Sequence, residues 1–118
     1  MLRYTEDHEW LKSEGDEVAV GITAHAAEQL GDIVFIELPE IGREVAKGEE
    51  IVVIESVKAA SDISSPIAGT ITAVNDAVAA DPASVNSDAE AAWFFKVKPA
   101  DAGLSGFMDA AAYQAMIG

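Results

Sequence analysis

Cysteine is absent from the 118 residues, which excludes a disulfide scaffold, a thiol nucleophile and a thiolate metal site. Histidine is almost as scarce. His8 and His25 are the only two, and no His-x-x-x-His or His-Glu-x-x-His spacing occurs, so a zinc hydrolase lacks its ligands. Positive charge is also in short supply: 7 Lys and Arg residues face 21 Asp and Glu, a net charge of -14. Neutralising phosphates needs clustered Lys and Arg, so neither nucleic acid nor an anionic membrane surface is expected as a partner. No apolar run approaches the ~20 residues of a membrane span. The first seven residues, with Arg3, Glu6 and Asp7, resemble neither a signal peptide nor an acid-poor transit peptide. These absences point to a cytoplasmic protein. Gly-x-Ser-x-Gly and the phosphate-cradling Gly-x-x-x-x-Gly-Lys-Ser/Thr are missing too. Among so many carboxylates some pair will lie close by chance, and a solvated acidic surface explains them more simply than acid/base catalysis.

What is present favours strands. Half of the chain is hydrophobic, but 22 of those residues are alanine; the heavier stock is 11 Val and 10 Ile against 5 Leu. β-Branched side chains suit a pleated surface. The length fits a single domain over 1–118. Short strands are expected at 10–11, 18–22, 32–38, 50–55, 69–74 and 93–98. In 32–38, alternation puts Ile33, Phe35 and Glu37 on one face and Val34, Ile36 and Leu38 on the other. The continuous apolar run of 50–55 suggests burial on both faces. Thr23 looks like the N-cap of a helix over 24–30 that Gly31 stops. Residues 77–92, rich in Ala, Asp and Ser, read as a long loop with a helical turn. A helix over 107–117 is expected to pack through Phe107, Ala110, Ala111 and Met116. The pattern is that of a mostly β, antiparallel sandwich or barrel.

Lys58 stands out among five lysines. It sits in a short polar interruption between the best strand and the next, flanked by the small Ser56 and Ala60. Glu55 precedes it by three residues and Asp62 follows by four. Periodicity alone makes it an exposed surface lysine.

The wording around it says more. Glu55-Ser56-Val57-Lys58-Ala59-Ala60-Ser61-Asp62-Ile63, followed by Ser65-Pro66-Ile67-Ala68-Gly69, resembles the lipoyl-lysine hairpin of the glycine cleavage system H protein family. Gly42 and Gly69 stand at the spacings of the glycines that frame that hairpin. Tyr4-Thr5-Glu6-Asp7-His8-Glu9-Trp10, Val20-Gly21-Ile22-Thr23-Ala24-His25-Ala26 and the stretch from Leu30 to Gly42 are similar to further family segments, as are Val74-Asn75 and Tyr113. The resemblance covers essentially the whole chain.

It implies a barrel-sandwich hybrid of two small antiparallel sheets, lipoyl-domain-like, with one short helix in the N-terminal half and one at the C-terminus. The hairpin near 50–70 would carry lipoate, amide-linked to Lys58. Glu55 matches the acidic residue read by the modifying enzyme, a lipoate ligase or lipoyl/octanoyl transferase. Glu9 and Asp62, with Asp7 beside them, match carboxylates of a cleft that shelters the loaded, cationic arm. Gln29 stands where some relatives carry histidine. The implied function is that of a non-enzymatic carrier. It shuttles the aminomethyl group of decarboxylated glycine between glycine decarboxylase (P protein), aminomethyltransferase (T protein) and dihydrolipoyl dehydrogenase (L protein). One departure bears on this. Where the family usually shows Pro-Tyr-Gly-x-Gly before the late tryptophan, this chain reads Ser87-Asp88-Ala89-Glu90-Ala91-Ala92-Trp93. That loop is expected to differ in shape. The remaining alternatives are an H-like paralogue in lipoyl relay and an unmodified acidic interaction module.

Overall fold

The structure, a computed structural model, describes residues 2–100 and 106–117. Among the described residues the order is β1 (Leu2–Tyr4), β2 (Glu9–Glu14), β3 (Glu17–Ile22), α1 (Ala24–Leu30), β4 (Ile33–Glu37), β5 (Glu44–Val45), β6 (Glu50–Ser56), β7 (Ala60–Ser64), β8 (Gly69–Val74), α2 (Asp76–Ala80), α3 (Ala83–Ser87), β9 (Phe95–Pro99) and α4 (Ala110–Ile117). All strand pairs are antiparallel. They form two sheets, β1-β2-β3-β9-β8-β5 and β4-β6-β7. One apolar cluster draws on both, with Leu11, Val20, Ile71 and Phe95 from the larger sheet and Ile36 and Ile54 from the smaller. This is the expected mostly β, two-sheet fold.

The smaller sheet departs from simple alternation. Ile33 pairs with Ser56 and Phe35 with Glu55, so Val34 is an extra residue in β4. Such a bulge turns the following residues by one position. Ile33 and Ile36 both enter the core, while Val34, Phe35 and Glu37 are exposed, which corrects the expected faces. β6 has its own irregularity between Glu50 and Val52, and Ile51, Val52 and Ile54 are buried. Val53 is only half-buried, because the described residues cover this sheet on one face alone. The expectation of burial on both faces of 50–55 is corrected accordingly.

Residues 77–92 are better ordered than the expected loop. Asn75 Oδ1 accepts the Ala77 N–H at 3.3 Å and opens α2, and α3 follows after Pro82. Val78, Val85, Ala89 and Ala92 are buried. Alanine explains the misreading: it favours helix strongly yet marks no apolar face. The loop at 87–92 turns without left-handed residues, since His8 is the only non-glycine at positive φ among the described residues. It is fixed by Trp10, whose Nε1–H donates to the Ala89 carbonyl at 3.0 Å.

α4 begins at Ala110 rather than 107, with Asp109 Oδ1 accepting the Ala112 N–H at 2.8 Å. Met108 instead bridges to Tyr4. The helix packs through Tyr113, buried and stacked on Tyr4 with ring centroids 4.7 Å apart, whereas Ala110, Ala111 and Met116 are exposed. The Tyr113 hydroxyl lies 2.8 Å from both Thr23 Oγ1 and His8 Nδ1. One aromatic ring outweighs the small contacts of alanine.

Candidate functional site

β6 and β7 form a hairpin closed by Ser56, Val57, Lys58 and Ala59. The Ser56 hydroxyl holds the turn. It accepts the N–H groups of Lys58 at 3.2 Å and Ala59 at 3.1 Å and donates to the Ala59 carbonyl at 3.1 Å. The Ser56 N–H donates to the same carbonyl at 2.8 Å. A second tether comes from outside the hairpin, where the Val57 N–H donates to the Asp32 carbonyl at 3.0 Å. The backbone is therefore fixed while the Lys58 side chain is exposed. Among the described residues the ion pairs are Arg43–Glu49 and Lys96–Glu14, and neither involves Lys58.

Its stem does have a resting place. A Cβ added to Gly31 would lie 3.1 Å from Lys58 Cε, so the aliphatic chain runs against bare backbone. Gly31 has φ 78° and ψ -158°, a conformation essentially reserved for glycine. The residue that stops α1 thus also makes room for the lysine.

Glu55 is exposed at the tip end of β6, opposite Ala60 on one side and Phe35 on the other. Glu9 lies elsewhere, at the start of β2. It is 2% exposed, and Oε1 accepts the Thr5 hydroxyl at 3.2 Å. Burial pushes its carboxyl up to about 7; the Thr5 hydrogen bond opposes this and the nearby Asp7 charge adds to it. Glu9 and Asp7 line a cleft of about 310 Å³ together with Thr5, Ser64, Pro66 and Phe107. This cleft sits at the base of the hairpin, beside Ser64. At ~3.3 Å per residue, Ser64 is about 20 Å along the strand from Lys58.

Asp62 does not line the cleft. It is exposed on β7 opposite Val53, and alternation gives it the same face as Ser64. Along the strand it lies between the Lys58 turn and Ser64 at the cleft. The structure therefore brings Lys58 and Glu55 together at the tip, Glu9 and Asp7 together at the base, and leaves Asp62 between them. Gln29 is exposed on α1. His8 and His25 pack ring to ring, with centroids 4.8 Å apart. Gly69 lies so close to β9 that a Cβ would overlap the Lys98 carbonyl oxygen, which makes it a packing glycine.

Sequence reasoning missed Gly31 and Asp32 as supports of the lysine turn, and Thr5, Ser64 and Lys47 as cleft walls. Gly31 carried a signal, a glycine after a helix, that a helix stop already accounted for. The cleft residues come from separate parts of the chain and carried none.

Two antiparallel sheets around one apolar core, with an exposed lysine on a tight hairpin, define a protein of the lipoyl-domain-like, barrel-sandwich class. Within that class the chain belongs to the glycine cleavage H-protein family, whose model matches residues 2–118. It is 60% identical over 114 residues to a glycine cleavage system H protein of Bradyrhizobium diazoefficiens, covering 95% of this chain and 93% of that one. An H protein of Phenylobacterium zucineum is 52% identical over 118 residues, with 98% of each chain covered. The crystal structure of a glycine cleavage system H protein from Mycobacterium marinum superposes with a TM-score of 0.88 at 40% identity, covering 98% of this chain and 95% of that one.

Proposed function

We propose that this chain, as one domain over 1–118, is the lipoyl-bearing carrier of the glycine cleavage system, with lipoate amide-linked to Lys58 Nζ. It is a non-enzymatic carrier that works with glycine decarboxylase, aminomethyltransferase and dihydrolipoyl dehydrogenase in the cytoplasm, after acylation by a lipoate ligase or lipoyl/octanoyl transferase. The observation that carries this reading is an exposed primary amine, without an ion pair among the described residues, on a backbone-fixed hairpin tip in a chain of this family.

The residues present fit the group. Amide formation needs an accessible amine, and the exposed Lys58 offers one. The bound group would supply reversible disulfide–dithiol chemistry, which a chain without cysteine lacks. The protein supplies position. Ser56 and the Asp32 carbonyl hold the root of the arm, and Gly31 lets its stem lie flat. Asp62 and then Asp7 and Glu9 give a cationic cargo successive carboxylates on its way to shelter. Pro66 and Phe107 add apolar wall that limits water. A cation beside Glu9 favours the ionised carboxylate, so docking near neutral pH releases a proton from that group.

Intact-mass measurement after incubation with lipoate, ATP and a lipoate ligase tests the reading. One lipoyl increment, on the peptide containing Lys58, is expected. Lys58→Arg should take up none and should support no glycine cleavage with the other three proteins. An unmodified wild type, with Lys58→Arg fully active, would instead identify an acidic interaction module.

A further inference from the structure

Among the described residues nothing covers the outer face of β4-β6-β7, yet it is not built as a solvated surface. Phe35 is 45% exposed in mid-strand and Val57 is 66% exposed in the turn, while Val34, displaced by the bulge, is 57% exposed. Val34 and Phe35 are neighbours in β4, and Val57 lies beside the residue that precedes that strand. Ile33 pairs with Ser56, and the Val57 N–H is bonded to Asp32, so the turn abuts the start of β4. Leu2, Ile41 and Met116, the remaining exposed large apolar residues described, lie on other segments. Around this apolar centre the register sets carboxylates in rows. Glu37, Val53 and Asp62 stand side by side, as do Phe35, Glu55 and Ala60. Directly opposed residues sit about 5 Å apart. Lys58 stands in the turn at the tip of this sheet.

We infer that this face is the docking surface for the enzyme that acylates Lys58, with Phe35 as its apolar anchor. The partner presents an apolar pocket framed by arginine or lysine. This inference rests on the carrier reading above. The reason for choosing that occupant is reach. An acylating enzyme must bring its active site to bonding distance of Nζ itself, so it has to contact the surface around the turn. Enzymes acting later meet the far end of a long tether and have no such requirement. Aromatic residues are enriched at the cores of interfaces, and the flanking carboxylates would form a polar rim around Phe35. The bulge in β4 supplies it, since regular alternation would not expose Val34 and Phe35 together.

The test compares Phe35→Ala, Phe35→Leu and the double variant Glu37→Gln/Asp62→Gln with wild type as substrates for purified lipoate ligase. Thermal unfolding of each apo protein is measured alongside. Phe35→Ala should lower kcat/KM for acylation at least tenfold, mainly through KM, with Phe35→Leu recovering most of it. The carboxamide pair should raise KM and flatten its dependence on salt. After forced lipoylation at high ligase concentration, Phe35→Ala should be reduced by dihydrolipoyl dehydrogenase within twofold of wild type. Acylation of Phe35→Ala within twofold of wild type would overturn the inference and leave the carrier reading intact. An equal loss in both assays would overturn it as well, by showing a general defect. A wild type that no ligase modifies would instead remove the carrier reading.

Discussion

Glu9 and Lys58 are the two residues whose chemistry depends most directly on their surroundings. Glu9 has one hydroxyl partner and almost no water, and its carboxyl titrates near 7 instead of 4.5. Between those values the folded state holds a proton that the unfolded state has lost. Stability therefore falls as pH rises through that window, and the loss is complete above about 7. The difference corresponds to about 3 kcal/mol. Glu9→Gln removes the ionisation, so its stability should stay level from pH 4.5 to 7.5 while wild type declines. Urea unfolding at several pH values measures this, and parallel curves would show that Glu9 ionises normally. Lys58→Arg, by contrast, changes an exposed side chain without an ion pair. Its unfolding free energy should match wild type within about 0.5 kcal/mol while acylation is abolished.

At the scale of elements, Gly31 links α1 to the hairpin. Gly31→Ala forces a Cβ into a glycine-only conformation and against the Lys58 stem. A cost of about 1–3 kcal/mol is expected in denaturant unfolding, together with slower acylation. Unchanged acylation would mean that the stem has no need of its bed. Tyr113→Phe should cost about 1–2 kcal/mol, since it leaves the buried Thr23 hydroxyl and His8 Nδ1 with one partner fewer. Much of this architecture was legible in the residues. Thr23 and Gly31 bound α1 as their chemistry requires, and the β-branched runs became strands. What misled was alternation read as unbroken. The bulge at Val34 depends on how β4 meets β6, and no local pattern announces that. Alanine hid the helices at 76–87 and the true packing side of α4 for a related reason: its small side chain gives propensity without direction. The tip of the candidate site was readable because Glu55 and Lys58 are close in sequence. Its base was not, because Thr5, Glu9, Ser64 and Phe107 meet only through the fold.

For the molecule as a whole, a net charge of -14 makes association with basic partners long-ranged. The rate of reduction by dihydrolipoyl dehydrogenase at low carrier concentration should fall severalfold, roughly, between 50 and 500 mM salt. A rate indifferent to salt would leave the acidity with a solubility role only.

The hairpin also acts as a yardstick. Six residues separate Lys58 from Ser64 at the edge of the cleft, and under the proposed carrier function the tether has a fixed span of its own. Two extra residues in each of β6 and β7 would keep every side chain on its face and carry the tip about 7 Å outward. Such a lengthened protein should still be loaded by its ligase. If the arm shelters in the cleft as proposed, its cargo would start about 7 Å farther from cover and should be lost to water faster than from the natural protein.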